Sequence, residues 1–228
     1  MNLRPYARGF TLIELLIVIA IILILIAISL PNFLEAQARA KLTRARADMR
    51  GLGTAIESFR TERGVLLIDF WDDDTFEAHT RWLEKLGRVG RDPIREYDFF
   101  EECFYPLTTP VAYIQEVPID LWADRSRDVG LGSDEQGFSY LYFDNDVLRG
   151  QPEENDHGID AFALGSAENF LLGIKPLAIE EFGLLSVGPD RILGQTGPVR
   201  FRGMPYAPTN GTNSYGELVF RSGGFTFP

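Results

Sequence analysis

The stretch "RGFTLIELLIVIAIILILIAISLPNFLEAQARAK", Arg8 to Lys41, decides how the chain is read. From Leu15 to Leu34 it runs 20 residues without a charge. As a helix that length measures about 30 Å, the thickness of a bilayer's hydrocarbon core. Glu14 stands at the head of this run, where a carboxylate is costly: about 2.5 to 3.5 kcal/mol at a membrane helix centre, less towards the end. A charge kept there needs a cation at the same depth. If the chain is cut between Gly9 and Phe10, the new α-amino group lies one helical turn from Glu14, in its own chain or in a neighbour shifted along the axis. Glu14 then reads the register between subunits.

A secretory signal is the competing reading, with Ala36-Gln37-Ala38 as a small-x-small cleavage site. Such signals carry an apolar region of about 7 to 15 residues. The longer run, the glutamate near its start and the helical pattern that continues past the supposed cut all weigh against it. Arg4 and Arg8 precede the run, which predicts a cytoplasmic N-terminus and an exported body after Pro31.

The segment "RGFTLIELLIVIAIILILIAISLPNF" resembles the type IV pilins and the pseudopilins of type II secretion systems, with Gly9 before the cut, Phe10 after it, Glu14 fifth in the processed chain and Pro31 further along. The resemblance implies a prepilin peptidase that removes Met1 to Gly9 and methylates the amine of Phe10. It also implies that Glu14 pairs with a neighbouring subunit's N-terminus during assembly. The partners it implies are further copies in a homo-oligomeric filament, minor pseudopilins and an inner-membrane assembly platform. A plain signal anchor with an incidental glutamate is the bland alternative.

Past Pro31, which lacks a backbone donor and is expected to kink the helix, apolar residues recur at Leu42, Ala45, Met49, Leu52, Ile56 and Phe59. Spacings of three and four make one helical stripe. Arg39, Lys41, Arg44, Arg46, Arg50 and Arg60 occupy other faces, as a solvated surface or as contacts to acidic neighbours. Gly51 and Gly53 allow close packing or bending, and Gly64 is a natural stop. The expected element is one long, bent helix from about Phe10 to Arg63.

Beyond it, "DDDTFEAHTRWLEKLG" predicts a short helix capped at Asp74 or Thr75, and "RDPIREYDFFEECFYP" predicts irregular chain. Phe138 to Asp144, Phe182 to Asp190 and Gly216 to Gly223 predict strands of a small antiparallel sheet. "LTTPVAYIQEVPIDLWAD", "FSYLYFD", "LLSVGPD" and "YAPTNGTNSYGELVFRSGG" look like the head of major pseudopilins, where a proline-aspartate loop leads into a strand and S-x-G-x-D ends a later one. Residues 65 to 106 depart from that pattern. A single cysteine, Cys103, excludes the C-terminal disulfide of ordinary type IV pilins and favours the pseudopilin side.

The formal charge of -11 hides an asymmetry. The first 50 residues hold seven Lys/Arg against three Asp/Glu, which leaves 15 against 30 for the rest. An acidic body repels phosphates, so nucleic acid is not an expected partner. Two histidines, His79 and His157, and no nucleophile, zinc or phosphate-loop motif leave catalysis without a candidate, so the chain is not expected to be an enzyme. Cys103, among Phe99, Phe100 and Phe104, predicts a buried thiol, and His157 in "ENDHGID" a solvated loop. "DNDVLRGQPEE" begins like a calcium loop at Asp144 and Asp146, but Leu148 and Arg149 stand where a ligand and a glycine are needed. The resemblance nominates Ser186 and Asp190 in "LLSVGPD" for calcium, the alternative being a β-turn through Gly188-Pro189.

The expected organisation is a leader at 1–9, a transmembrane half-helix at 10–34, an amphipathic half-helix at 35–64 and a globular α+β head at 65–228. With the resemblance, this predicts a single-pass protein of the bacterial inner membrane, its head periplasmic, that polymerises into a periplasmic or extracellular filament and drives protein export as a major pseudopilin. A surface type IV pilin for adhesion or motility is the nearest alternative. A membrane-tethered periplasmic binding domain that never polymerises is the alternative of another class.

Overall fold

The computed structural model describes residues 10–68, 100–123, 139–145, 177–178, 180–189, 206 and 218–225. Its first element is one 52-residue helix, α1 (Leu12–Arg63). The helix stays continuous through Pro31, so the expected kink does not interrupt it. Proline lacks one donor, and the turns on either side keep theirs. Nearby, Ser29 Oγ donates to the Leu25 carbonyl at 2.7 Å and so satisfies a polar group in an apolar stretch. At the far end the Gly64 N–H donates to the Arg60 carbonyl at 2.7 Å. Gly64 has φ of 72°, the left-handed conformation in which glycine ends helices.

The chain divides into two compact units, Met1–Lys41 and Leu42–Pro228. In the first, α1 is long and apolar enough to cross a membrane, and none of its most apolar window is buried. Leu12, Leu23 and Ile28, for instance, stand exposed.

In the second unit the expected stripe lies in a hydrophobic core. Leu42, Ala45, Met49, Leu52, Ile56 and Phe59 are all buried. They share that core with a four-stranded antiparallel sheet in the order β1 (Leu141–Asn145), β2 (Glu181–Ser186), β3 (Leu218–Arg221) and β4 (Gly224–Phe225). Register pairs Tyr142 with Leu184 and Leu184 with Phe220. Period-two geometry therefore puts Tyr142, Phe182, Leu184 and Phe220 on one face. Tyr142 stacks on Phe182 with centroids 6.1 Å apart and meets Phe104 edge-on at 6.0 Å. Residues 182 to 186 are buried without alternation, which is why this strand reads as a continuous apolar run.

Three differences from expectation have local causes. Strand β2 stops at Ser186, because Gly188 adopts φ of 74° and Pro189 cannot donate to a ladder. The extra strand β4 follows a tight turn at Ser222-Gly223 that Gly224, with φ of 121°, permits. Where irregular chain was expected, Phe100–Leu107 is a 3-10 helix that buries Cys103, Phe104 and Leu107. Cys103 is thus the buried thiol expected of it. The short helix expected after Asp74 or Thr75, both histidines and the loop at His157 lie outside the described residues.

Two ion pairs bind the ends of these elements. Arg60 donates to the Glu180 carbonyl at 3.1 Å and to its carboxylate at 2.7 Å. Glu180 has φ of 60°, uncommon for a residue other than glycine, in a turn that the Glu181 N–H closes by donating to the Ala178 carbonyl at 2.9 Å. Across β2 and β3, Arg221 Nε donates to Glu181 Oε1 at 2.6 Å as part of a forked pair.

Candidate assembly site and the Asp120 joint

Glu14 has a local use that the charge argument missed. Thr11 N–H donates to Glu14 Oε2 at 2.9 Å and Thr11 Oγ1 donates to the same oxygen at 2.8 Å. In return, Glu14 N–H donates to Thr11 Oγ1 at 3.2 Å. This is a capping box: Thr11 and Glu14 reciprocally satisfy donors that the first turn of α1 would otherwise leave open. The signal was present, since T-x-x-E before an apolar run is its sequence signature. All three contacts leave Glu14 Oε1 unused, and Glu14 is exposed. The carboxylate can therefore cap its own helix and still accept a hydrogen bond from a cation beside it. Phe10 is exposed just ahead of the cap, and Gly9 lies outside the described residues.

The second expected site is the turn after β2. Ser186 is fully buried. Its hydroxyl bonds the carboxylate of Asp120 and its Oγ accepts the Gly188 N–H at 3.3 Å. Asp120 Oδ1 accepts the Trp122 N–H at 3.0 Å, and Oδ2 accepts the Val187 N–H at 3.2 Å. The proline-aspartate loop and the S-x-G turn, 66 residues apart from Asp120 to Ser186, thus meet at one buried carboxylate. Burial pushes the Asp120 carboxyl above the usual range, although its three hydrogen bonds favour the charged form. Tyr140 extends the joint to α1: its hydroxyl donates to Asp48 Oδ2 at 3.3 Å, and Arg44 Nε stands 3.7 Å from the same oxygen. Burial first, and the charges of Asp120 and Asp48 next, raise the Tyr140 hydroxyl well above its ordinary value.

Calcium at this turn needs oxygen ligands turned towards a shared, reachable point. Ser186 does not fit: it has no solvent exposure and its hydroxyl is committed to Asp120. Asp190 lies outside the described residues, and among those described no group of three or more acidic, histidine or cysteine side chains could hold a metal. The calcium expectation rests on the resemblance.

Against known proteins, the prokaryotic N-terminal methylation motif matches residues 4–30. The chain is 54% identical over 60 residues to the type IV major pilin protein PilA of Myxococcus xanthus, covering 26% of this chain and 27% of that one. It is 42% identical over 80 residues to the fimbrial protein EcpB of Eikenella corrodens, 35% of this chain and 50% of the relative. With the type IV major fimbrial protein FimA of Dichelobacter nodosus it shares 43% over 56 residues, 25% of this chain and 36% of that one. The chain therefore spans half or less of the length of these relatives. No solved structure matches. The motif and these relatives, named as pilin and fimbrial proteins, support the type IV pilin-like superfamily.

Proposed function

We propose that the chain is the structural subunit of a pilin-like filament, not an enzyme, and that it polymerises from a membrane through α1. The observation that carries this reading is a capped helix with a fully exposed apolar stretch, most of which lies within a methylation motif, residues 4–30, that spans the Gly9-Phe10 junction. Aliphatic surface of that extent is stable only in lipid or against other copies. A subunit that exchanges one cover for the other needs little else to assemble. Glu14 supports the exchange, because a carboxylate with one oxygen open can receive the processed N-terminus of a neighbour while the capping box holds its orientation.

The finer reading is a major pseudopilin of a type II secretion system, processed by a prepilin peptidase, methylated at Phe10, aided by minor pseudopilins and an inner-membrane platform, with a periplasmic head. The head segments that resemble pseudopilins and the single cysteine favour it. A surface type IV pilin is the second reading, favoured by relatives named as major pilins and fimbrial proteins.

The test is co-expression with a prepilin peptidase and the host's assembly machinery, followed by intact-mass spectrometry and filament imaging. We expect the chain to shorten by its nine leader residues, Gly9→Val to block this, and Glu14→Leu to be cleaved yet form few fibres. A mature chain beginning after Ala38, or normal fibres from Glu14→Leu, would overturn the reading. Deleting the gene in its host separates the finer alternatives: loss of an exported protein marks a pseudopilin, and loss of surface fibres marks a pilin.

A further inference from the structure

Once the leader is removed as proposed, the cationic side chains near the span stand on one side of it only. Arg4 and Arg8 depart with the leader, and the next basic residues along the chain are Arg39 and Lys41, five and seven positions past Leu34. Helix rise puts their Cα atoms about 7.5 and 10.5 Å beyond the apolar run. Headgroups occupy about 5 to 8 Å beyond the hydrocarbon core on each side. Helical side chains lean towards the N-terminus, and Lys and Arg carry their charge at the end of a long stem, so both cations tip back into that layer.

Both residues belong to the first compact unit, Met1–Lys41. Arg39 is 76% exposed although its Nη2 donates to Glu35 Oε1 at 2.5 Å. A guanidinium has further N–H groups to offer. No ion pair holds Lys41 among the described residues. Two positions along a helix turn it by about 200°, so Arg39 and Lys41 stand on opposite sides of α1. A single protein face meets one of them. The headgroup layer, which surrounds a spanning helix, meets both. Two cations against the one carboxylate of Glu35 make this flank positive, and its complement is a headgroup whose phosphate has no choline or ethanolamine to balance it.

We infer that Arg39 and Lys41 form a collar that binds anionic phospholipid at the exported face of the membrane and fixes the depth of the processed subunit. This rests on the membrane-spanning part of the proposed function and adds to it a class of lipid. Depth matters at the other end of the span. Glu14 precedes Arg39 by 25 residues, about 37 Å of helix. A collar held in one headgroup layer therefore keeps the Glu14 carboxylate at the opposite edge of a core about 30 Å thick, where a neighbour's N-terminus can reach it.

Native mass spectrometry of the full chain in a non-ionic detergent tests the collar. Titrated with phosphatidylglycerol or with phosphatidylcholine of the same acyl chains, the wild type should bind the anionic lipid about fivefold or more tightly. Lys41→Gln should weaken that binding about fivefold, the factor that one cation near an anionic surface contributes. Arg39→Gln with Lys41→Gln should weaken it further. Arg50→Gln removes the same charge 16 residues past Leu34 and should change nothing. Equal affinity for the two lipids, or equal losses from Lys41→Gln and Arg50→Gln, would overturn the collar. So would displacement of the lipid by glycerol 1-phosphate, which would mark a site for free phosphate. A dimer that takes up no phosphatidylglycerol and dissociates in the Arg39 and Lys41 variants would assign both cations to a second copy, and the inference falls. Flotation with phosphatidylcholine vesicles checks the span separately: a chain that stays at the bottom of the gradient overturns the membrane reading itself, and the collar with it.

Discussion

Gly51 and Gly53 look alike in the sequence and are opposite in the structure. A Cβ on Gly53 would stand 2.7 Å from Phe220 Cζ, whereas one on Gly51 would meet nothing within 4 Å. Phe220 lies on β3 in the core, so the missing side chain at Gly53 is the space its ring occupies. Glycine in a helix costs about 1 kcal/mol against alanine. Gly51→Ala recovers that cost, and we expect stability to rise by about 0.5 to 1 kcal/mol. Gly53→Ala recovers the same amount but forces the ring aside, an overpacking cost of about 1 to 3 kcal/mol. Its expected net effect is a loss. Urea-unfolding midpoints of the two variants check this; a gain at Gly53 would mean that Phe220 moves aside freely and that α1 does not depend on so close an approach.

At the scale of elements, the Asp120 joint ties the loop before it, the turn after β2 and, through Tyr140 and Asp48, α1. The raised carboxyl makes the joint respond to pH in a definite direction. Above its ordinary value of 3.8 an unfolded Asp120 loses its proton, while the folded chain still holds it because burial disfavours the charge. The folded state then binds more protons, so Asp120 lowers stability as pH rises from 3.8 through the folded value. Asp120→Asn should remove that component: the slope of unfolding free energy against pH above 3.8 becomes more positive than in the wild type, whatever the absolute stability. An unchanged slope would show that the three hydrogen bonds, not burial, set the charge state. Little of this joint was legible in advance. The stripe from Leu42 to Phe59, the Gly64 stop and three strands follow from local periodicity and turn chemistry, which one stretch of sequence carries by itself. The partnership of Asp120 with Ser186 depends on a long-range approach that no local pattern encodes, whereas the turn through Gly188-Pro189 is written in the local sequence. The capping box at Thr11 is legible as T-x-x-E ahead of an apolar run, although the membrane cost of Glu14 alone points to a partner outside its own first turn.

For the whole molecule, the division at Lys41 and Leu42 separates what needs a cover from what supplies its own. The unit from Leu42 onward includes the buried stripe of α1, so the helix is split by function while its backbone is continuous. Removing residues 1 to 34 takes away the exposed aliphatic surface and leaves Leu42, Ala45, Met49, Leu52, Ile56 and Phe59 in the core. That chain should be a soluble, folded monomer. Removing residues 1 to 63 strips the stripe itself. Burial of a large apolar side chain contributes about 1.5 to 3 kcal/mol, so losing Met49, Leu52, Ile56 and Phe59 alone forfeits roughly 6 to 12 kcal/mol, as much as the whole net stability of about 5 to 15 kcal/mol for a typical domain. It also bares the sheet face of Tyr142, Leu184 and Phe220, and an apolar patch of that kind associates. Size-exclusion chromatography and near-ultraviolet circular dichroism on the two products decide the matter. A monomeric, cooperatively melting product from the longer deletion would show that the sheet holds its core without α1, and that the half-helix after Leu42 belongs with the stem.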